Sequence, residues 1–474
     1  MLDTLRFIYH IRRFDNFVDF KRQEVLNVQK YLFRKIVRHA ARYSPYYRKR
    51  FKGIDLATCQ PTDLPTLTKP EMMANFDELV TDRQLNRPLV EQFVANPNNV
   101  GKYLLGKYVV CHTSGSQGQP ALIVQDKNAF LMLFAMQAAR GHAMSKQWKT
   151  LFERMRRRTR WAIFLLRPGF YPSSVAFNYM PLPMRKFASI RFFRVADPLE
   201  DSIRNLNEFQ PSIITAYAHV LENLAKAELD GRLRLREKNC LQLLVSMSEP
   251  LYPDKREMIQ KAFGVHVSNH YAMGECMGLS LGDPYTSGAR LNPDLGLLEV
   301  VDAQNRPVPP GQPGVKVLVT NLYNRVQPII RYEIDDVVTM RYIEGQESSF
   351  PLVETIAGRN NDRFFMRGSE GDRELPYFVF ATIFHTQYDV AEYQIVQTGF
   401  NHFTFRLVPV AGKTVDTDKL SSLAQEKLAL EHYFEPVDLR FELVKEIIPD
   451  PRSGKVRRFV NQIGATPEQR NGSN

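Results

Sequence analysis

A stretch rich in glycine and hydroxyl residues, at positions 112–120, most constrains how this chain can fold. It lies between an apolar run that ends at Val110 and a predicted helix over 128–134. Small residues let successive backbone N–H groups turn toward one anion, and neighbouring hydroxyls add adjustable donors. The order strand, loop, helix therefore predicts a phosphate-binding loop in an α/β fold, formed by Thr113, Ser114, Gly115, Ser116, Gln117 and Gly118.

The loop differs from the common nucleotide loop that ends in Gly-Lys-Ser/Thr, because Gln119 follows Gly118. A lysine that contacts the phosphates must then come from another segment. Taken alone, such a loop is also compatible with a plain turn.

The loop resembles the phosphate loop Thr-Ser-Gly-Ser-Thr-Gly-x-Pro of the adenylate-forming enzymes, the acyl-CoA synthetase and luciferase superfamily. Further segments resemble the other motifs of that superfamily and occur in the expected order. They are Ser248-Glu249-Pro250-Leu251, Tyr271-Ala272-Met273-Gly274-Glu275, Arg331-Tyr332-Glu333-Ile334-Asp335-Asp336, Gly358-Arg359-Asn360-Asn361-Asp362 and Ser453-Gly454-Lys455-Val456-Arg457-Arg458. Residues 29–51 and 64–69 are similar to the phenylacetate-CoA ligase branch, so the resemblance covers nearly the whole chain.

The resemblance implies an α/β protein with two parts. Residues 1–357 would form a large ATP- and acid-binding domain of sheets and helices, which begins with a basic helical segment at 1–52. Residues 358–474 would form a small, mobile α+β lid that carries the adenylation lysine. The sequence changes character near Gly358, beyond which strands at 403–407 and 437–443 and a helix at 416–434 are predicted from their apolar spacing.

Other elements are predicted from hydrophobic spacing. Apolar residues recur at helical intervals from Val18 to Ala41, with basic residues between them, which indicates an amphipathic helix. Short apolar runs at 161–166, 241–245 and 315–319 predict strands, and residues 253–263 predict a helix.

The resemblance also assigns roles in ATP and metal binding. Thr113 to Gly118 would hold the β and γ phosphates, and Glu275 would bind Mg²⁺, for which a carboxylate oxygen is a suitable ligand. Asp336 would accept hydrogen bonds from the ribose hydroxyls, and Tyr271 would stack on adenine. The remaining nucleotide contacts are Ser248, Glu249, Pro250 and Arg359. Lys455, with Glu275 and Arg359, is predicted to be catalytic, and Asn361 is the predicted hinge of the lid.

The acyl pocket is predicted at Tyr217, Ala218 and His219, together with Ala272 and Met273. Such residues would suit a small or aromatic acid. A histidine at a helix start is also a common structural residue, so both interpretations of His219 stay open.

The sequence departs from the superfamily pattern at four positions. Ser248 replaces a glycine, Gly274 a threonine, Asp335 a glycine and Asn361 an aspartate. Because Glu275, Asp336, Arg359 and Lys455 are present, we expect an active enzyme. Some relatives carry additional Cys and His residues after the segment that corresponds to Glu275. Residues 279–302 of this chain contain no Cys or His, so no zinc is expected there.

The charge is unevenly distributed. The net charge is +12 over 474 residues, and residues 1–52 hold 14 Lys/Arg against 4 Asp/Glu, which gives +10. A second basic cluster spans 146–160. Such patches attract nucleotides, anionic lipid or an acidic acyl carrier protein, whereas no nucleic-acid recognition motif accompanies them. The usual interpretation, a solvated helix face, stays open.

Length and cysteine usage limit the class of protein. A chain of 474 residues with 44% apolar composition predicts two or three domains. Four scattered cysteines without a Cys-x-x-Cys pair argue against a zinc ribbon or a disulfide framework and favour the cytoplasm. No apolar run approaches the roughly 18 residues of a membrane span, so membrane contact is a minor alternative.

The sequence therefore predicts ATP- and Mg²⁺-dependent activation of a small or aromatic carboxylic acid to an acyl-adenylate, followed by transfer to coenzyme A. The acceptor rests on the resemblance alone, and a carrier-protein pantetheine or an amine is the enzymatic alternative. An alternative of another class is a basic membrane- or nucleic-acid-associated binding protein that retains the fold.

Overall fold

The chain forms two compact units in a computed structural model. The structure describes residues 2–113, 120–143, 159–165, 169–181, 184–185, 188–195, 197–249, 251–283, 286–342, 349–359, 364–368, 371–375, 378–385, 389–430, 433–448 and 456–463. The first unit comprises Met1–Ile334 and Val338–Ile356, and the second comprises Asp335–Val337 and Ala357–Asn474. Helices and sheets occur in both units, so the prediction of a mixed α/β fold is confirmed. The predicted division into a catalytic domain and a mobile lid stays a prediction, because it concerns movement.

The first unit begins with helices. These are α1 (Leu2–Val18), α2 (Arg22–Tyr43), α3 (Pro45–Arg50), α4 (Lys69–Ala74), α5 (Phe76–Leu79) and α6 (Arg87–Ala95), with short 3₁₀ turns at Pro61–Asp63 and Pro97–Asn99. The predicted amphipathic helix corresponds to α2, which buries Val25, Phe33, Ile36, Val37 and Ala40. Helix α2 begins at Arg22 rather than at Val18, because Val18 is the last residue of α1 and the chain breaks between the two helices.

A hairpin and a long helix surround the predicted phosphate loop. Strands β1 (Tyr108–His112) and β2 (Leu122–Asp126) pair in antiparallel register, from Tyr108 opposite Asp126 to His112 opposite Leu122. Helix α7 (Lys127–Ala143) follows, and Asp126 Oδ1 accepts a 2.7 Å hydrogen bond from Ala129 N–H at its start. The helix predicted at 128–134 is confirmed. The loop is thus attached at both ends to ordered elements.

A five-stranded parallel sheet forms the middle of the first unit. Its strands are β3 (Thr159–Leu165), β4 (Ala188–Arg194), β5 (Ile213–Ala216), β6 (Leu243–Met247) and β7 (Val267–His270), in the order β4-β3-β5-β6-β7. The connecting helices are α8 (Pro172–Asn178), α9 (Leu199–Phe209), α10 (Ala218–Leu229) and α11 (Pro253–Phe263). Strands β3 and β6 match the apolar runs at 161–166 and 241–245, and α11 matches the helix predicted at 253–263.

Antiparallel strands complete the first unit. One sheet has the order β13-β14-β9-β8 and another the order β10-β11-β12. The strands are β8 (Ser280–Gly282), β9 (Ala289–Leu291), β10 (Gly296–Val301), β11 (Lys316–Asn321), β12 (Tyr332–Ile334), β13 (Asp336–Arg341) and β14 (Leu352–Arg359). Strand β11 confirms the run predicted at 315–319.

The second unit is a small sheet with helices. It contains the hairpin β15 (Phe364–Gly368) and β16 (Gly371–Leu375), and a sheet of order β19-β18-β17-β20. The remaining elements are α12 (Phe378–Ala381), the 3₁₀ turn Thr382–His385, β17 (Val390–Gly399), β18 (His402–Pro409), α13 (Thr417–Leu430), β19 (Asp438–Leu443) and β20 (Phe459–Asn461). The alternation predicted at 403–407 is confirmed, since Phe403, Phe405 and Leu407 are buried. The strand predicted at 437–443 corresponds to β19, but its apolar residues are not all turned inward, because Leu443 is exposed.

Buried ion pairs connect elements that are distant in sequence. Arg140 on α7 donates from both terminal nitrogens to Asp294, at 2.8 Å each, and to Asn292 Oδ1 at 2.8 Å. Arg331, from one of the superfamily-like motifs, donates to both oxygens of Glu299 at 3.0–3.1 Å. Arg331 is therefore held by contacts within the first unit. In the described part of the chain, no helix has the length and apolar character needed to cross a bilayer.

Candidate active site

Three of the predicted segments follow adjacent strands of the parallel sheet. Strand β5 ends before Tyr217-Ala218-His219, β6 before Ser248-Glu249, and β7 before Tyr271-Ala272-Met273-Gly274-Glu275. Since β5, β6 and β7 are parallel neighbours, their carboxyl ends meet at one edge of the sheet. In open α/β sheets, ligands bind in the crevice outside that edge. The topology therefore gathers the three segments where a ligand is expected.

The base of the predicted phosphate loop is closed by two hydrogen bonds. Thr113 N–H donates to Ala121 O, and Ala121 N–H donates to Thr113 Oγ1, both at 2.9 Å. Because the Thr113 oxygen accepts a bond from the chain, its own O–H stays able to donate. The loop residues Ser114, Gly115, Ser116, Gln117 and Gly118 lie outside the described residues.

Gly274 lies close to both the loop base and the start of α8, so a side chain there would meet them. A Cβ atom at position 274 would lie 3.6 Å from Thr113 Cγ2 and 3.1 Å from Pro172 Cγ, at the start of α8. The second distance is tighter than ordinary van der Waals contact, so a larger residue would displace the proline. This geometry gives a steric reason for glycine where the superfamily has threonine.

Glu275 is a buried carboxylate beside this contact. Its residue is 6% exposed, and its backbone carbonyl accepts a 2.8 Å hydrogen bond from Asn321 Nδ2. Burial raises the pKa of the Cys111 and Cys276 thiols, and the nearby Glu275 charge raises both pKa values further. In the described residues, no group of three or more His, Cys, Asp or Glu could complete a metal site. A single carboxylate nevertheless fits Mg²⁺, which takes its other ligands from phosphates and water.

Glu249 and His219 form a pair at the same edge. The Glu249 carboxylate accepts the His219 backbone N–H at 3.1 Å, and the His219 Nδ1–H donates to both its oxygens at 2.9 Å. The side chains are 4% and 19% exposed respectively. The carboxylate also lies at the amino terminus of α10, where negative charge is favourable. The sequence assigned these residues to separate binding roles, whereas the structure joins them.

The other predicted contacts of this edge have different environments. Tyr217 is buried, with its ring 5.9 Å from that of His219. Tyr271 is buried in the main core, Ala272 is exposed and Met273 is half-buried. Ala218 is the first residue of α10. Tyr217 and His219 follow β5, whereas Ala272 and Met273 follow β7, and β6 lies between these two strands. Two strand spacings, or roughly 10 Å, therefore separate the two groups.

Ser248 adopts an unusual backbone conformation. Its φ angle is +67°, in the left-handed region that favours glycine. The superfamily motif has glycine at this position, and the backbone explains that preference. The neighbouring Pro250 lies outside the described residues.

The remaining predicted residues belong to the second unit. Asp336 begins β13 and clusters with the second unit. The backbone of Arg359 ends β14, while its side chain, together with Asn361 and Lys455, lies outside the described residues. Their assigned roles stay predictions.

Two histidines near the site were not predicted from the sequence. His112 precedes Thr113, donates from Nδ1 to the Thr113 carbonyl at 3.0 Å, and lies edge-on to Tyr171 with ring centres 4.7 Å apart. His270 precedes Tyr271, and burial lowers its pKa to about 4, so its imidazole is neutral at pH 7. Their positions next to two motifs were the signal that could have identified them.

Comparisons with known proteins place these motifs in context. Residues 105–319 match the AMP-binding enzyme family. Protein CapK of Staphylococcus aureus is 23% identical over 459 residues, which cover 93% of this chain and 90% of that protein. Phenylacetate-coenzyme A ligase of Thermus thermophilus is 27% identical over 175 residues, 36% of this chain and 39% of that protein.

A similar fold occurs in a solved structure of 2-hydroxyisobutyryl-CoA ligase, in the postadenylation state with 2-HIB-AMP. The TM-score is 0.67 at 18% identity, and the likeness covers 92% of this chain and 89% of that one. The likeness confirms the predicted fold.

Proposed function

Because the chain belongs to the adenylate-forming superfamily, in its phenylacetate-CoA ligase-like branch, we propose that it is an AMP-forming carboxylate-CoA ligase. It activates a small or aromatic carboxylic acid with ATP and transfers the acyl group to coenzyme A. The observation that carries the proposal is the closeness of the Thr113 hairpin to the segment that follows β7, since a Cβ atom at position 274, next to Glu275, would lie 3.6 Å from Thr113 Cγ2.

The first half-reaction joins a carboxylate oxygen to the α-phosphorus of ATP and releases pyrophosphate. Both reactants are anionic, so the site must stabilise negative charge. Thr113 supplies a hydroxyl donor at the loop base, and the loop that follows supplies backbone N–H donors. Mg²⁺, when bound at Glu275, would neutralise phosphate charge. The hydrophobic residues around Glu275 limit the access of water to that carboxylate.

The Glu249–His219 pair supports the acid-binding side of the site. Glu249 holds the imidazole through Nδ1, which fixes its orientation beside Tyr217. We assign Tyr217 and His219 to the acid pocket, together with Ala218, Ala272 and Met273. Glu249 then acts on the substrates through His219.

The remaining roles are assigned from the resemblance to the superfamily. Lys455 would contact the substrate carboxylate and the α-phosphate, Asp336 would bind the ribose hydroxyls, and Arg359 would contact phosphate or ribose oxygen. Rotation about Asn361 withdraws Lys455 once the adenylate exists, and the acceptor thiol then attacks the acyl carbon with release of AMP. The acceptor is coenzyme A, and a carrier-protein pantetheine is the competing acceptor.

The experiment is acid-dependent exchange of pyrophosphate into ATP across a panel of small and aromatic acids, with mass analysis of the products. We expect exchange with at least one acid and an acyl-CoA when coenzyme A is added. If an acyl product forms only with a carrier protein or an amine, that compound and not coenzyme A is the acceptor. No exchange with any acid would overturn the proposal in favour of a binding protein with this fold.

A Glu275→Gln variant tests the metal assignment. The substitution keeps the shape and removes the charge, so exchange should slow by roughly 10²-fold or more and require higher Mg²⁺. Glu71→Gln, at a carboxylate of the first unit outside the candidate site, is the matched control. An unchanged Mg²⁺ titration and rate in Glu275→Gln would show that Glu275 does not bind the metal.

A further inference from the structure

One face of α2 carries a row of exposed side chains. Tyr31, Lys35, Arg38 and Arg42 recur at intervals of four, three and four residues, so they lie in one stripe along the helix. All four are exposed. The opposite face packs into the core of the first unit. The helix is therefore fixed in place by its apolar face while this stripe faces water.

The cations of this stripe differ from several other exposed cations in the charges around them. In the described part of the chain, no carboxylate lies within salt-bridge distance of Lys35, Arg38 or Arg42. Two other exposed cations of the same unit are paired, Lys49 with Glu78 at 2.9 Å and Lys107 with Asp82 at 2.7 Å. Like charges three or four residues apart destabilise a helix. The stripe is thus a concentrated positive surface that no carboxylate among the described residues neutralises.

Exposed apolar side chains are concentrated in the same segment. Of the thirteen large hydrophobic residues exposed among the described residues, six lie between residues 5 and 43. They are Leu5 (59%), Ile8 (45%), Tyr9 (63%), Phe20 (36%), Tyr31 (57%) and Tyr43 (46%). This segment holds less than a tenth of the chain, so chance distribution of surface residues does not account for the cluster.

Helix α1 has the same two-sided character. Leu5, Ile8 and Tyr9 lie on one exposed face with Arg12, at helical spacing. The opposite face buries Phe7, Phe14 and Phe17. Each of the two helices therefore exposes apolar groups beside cations.

We propose that α1 and α2 bind an anionic lipid surface. The cations of α2 contact the phosphate groups of the lipids, and the exposed tyrosines and aliphatic residues lie at the level of the headgroups. Apolar residues interleaved with Lys and Arg are the composition of helices that lie in a membrane interface, and tyrosine is enriched at that depth. An acidic protein would satisfy the cations but leaves the apolar cluster unexplained. This inference is independent of the proposed ligase activity.

The test is flotation of the full chain with lipid vesicles at low salt. Vesicles of phosphatidylcholine with about one third phosphatidylglycerol should bind the protein, and phosphatidylcholine alone should bind it weakly. Each cation near an anionic surface contributes roughly fivefold to binding. The variant Lys35→Gln/Arg38→Gln/Arg42→Gln should therefore bind about 100-fold more weakly. High salt should weaken binding of the parent in the same way.

The matched control is Lys238→Gln/Lys261→Gln/Lys445→Gln, which removes three exposed cations elsewhere. It should bind like the parent. A second variant, Leu5→Ser/Tyr9→Ser, should lower the binding that remains at high salt. Equal loss in the control and the α2 variant, or no vesicle binding by the parent, would overturn the proposal. Binding to soluble polyglutamate but not to vesicles would identify the stripe as a protein-docking surface instead.

Discussion

The pair formed by Glu249 and His219 allows a sharp test of the site geometry. Glu249→Gln keeps the shape of the side chain and removes its charge. In the native pair one oxygen accepts both the His219 backbone N–H and the Nδ1–H, and the other oxygen accepts the Nδ1–H alone. In the variant a neutral amide oxygen takes the place of the first, and the NH₂ group in the place of the second cannot accept the Nδ1–H. The variant therefore removes the charge and one of the two acceptors of the imidazole, while an oxygen remains for the helix cap.

The magnitude follows from burial and hydrogen bonding. The Glu249 side chain is 4% exposed, so water cannot replace the hydrogen bonds that the substitution removes. A hydrogen bond to a charged group contributes about 1.5–3 kcal/mol, and charge at a helix start about 0.3–1 kcal/mol. Glu249→Gln should lower the free energy of unfolding of the first unit by about 2–4 kcal/mol.

Urea unfolding monitored by tryptophan fluorescence measures this loss. Trp161 reports on the sheet, because its Nε1–H donates at 2.9 Å to Thr215 on β5, two residues before Tyr217. His219→Ala keeps the backbone N–H, so a double-mutant cycle with Glu249→Gln isolates the imidazole. The coupling energy should be about 1 kcal/mol or more.

A matched control defines what the result means. Glu78→Gln breaks the solvent-exposed pair with Lys49 and should change stability by less than about 1 kcal/mol. If Glu249→Gln is as stable as this control, or if the two site variants are additive, the pair does not organise the edge of the sheet.

Two further predictions concern the lid and the glycine at the loop base. Lys455→Ala should abolish pyrophosphate exchange, yet the variant should still convert a supplied acyl-adenylate to thioester at close to the parent rate. A comparable loss of both half-reactions in the folded variant would refute the idea that Lys455 serves only adenylation. Gly274→Thr should lower the free energy of unfolding by about 1–3 kcal/mol, because its Cβ and the two atoms beyond it add volume beside Pro172. Gly274→Ala adds the Cβ alone and should have a smaller effect. Unchanged stability of both variants in urea would contradict the steric explanation.

The sequence predicted the elements with a strong apolar pattern and the order of the motifs. Strands β6 and β11 were found because short apolar runs between turns are typical of buried strands. The contact of Glu249 with His219 could not be found in this way. The two residues lie 30 positions apart, and only the adjacency of β5 and β6 brings them together.

Individual roles were harder to predict than motif positions. Tyr271 is buried in the main core, a placement that depends on residues from several distant segments, and its stacking on adenine stays a prediction. The four-residue error at the start of α2 arose because residues 19–21 contain neither glycine nor proline to signal the break.

The contact of position 274 with Pro172 also bears on how such a site could diverge. Since the two residues share one space, the effect of a substitution at either position depends on the residue present at the other. Threonine at 274 would meet less steric resistance in a background where position 172 had already become smaller. The order of the two substitutions would then decide which intermediate sequences are viable, and the pair would change together along a lineage.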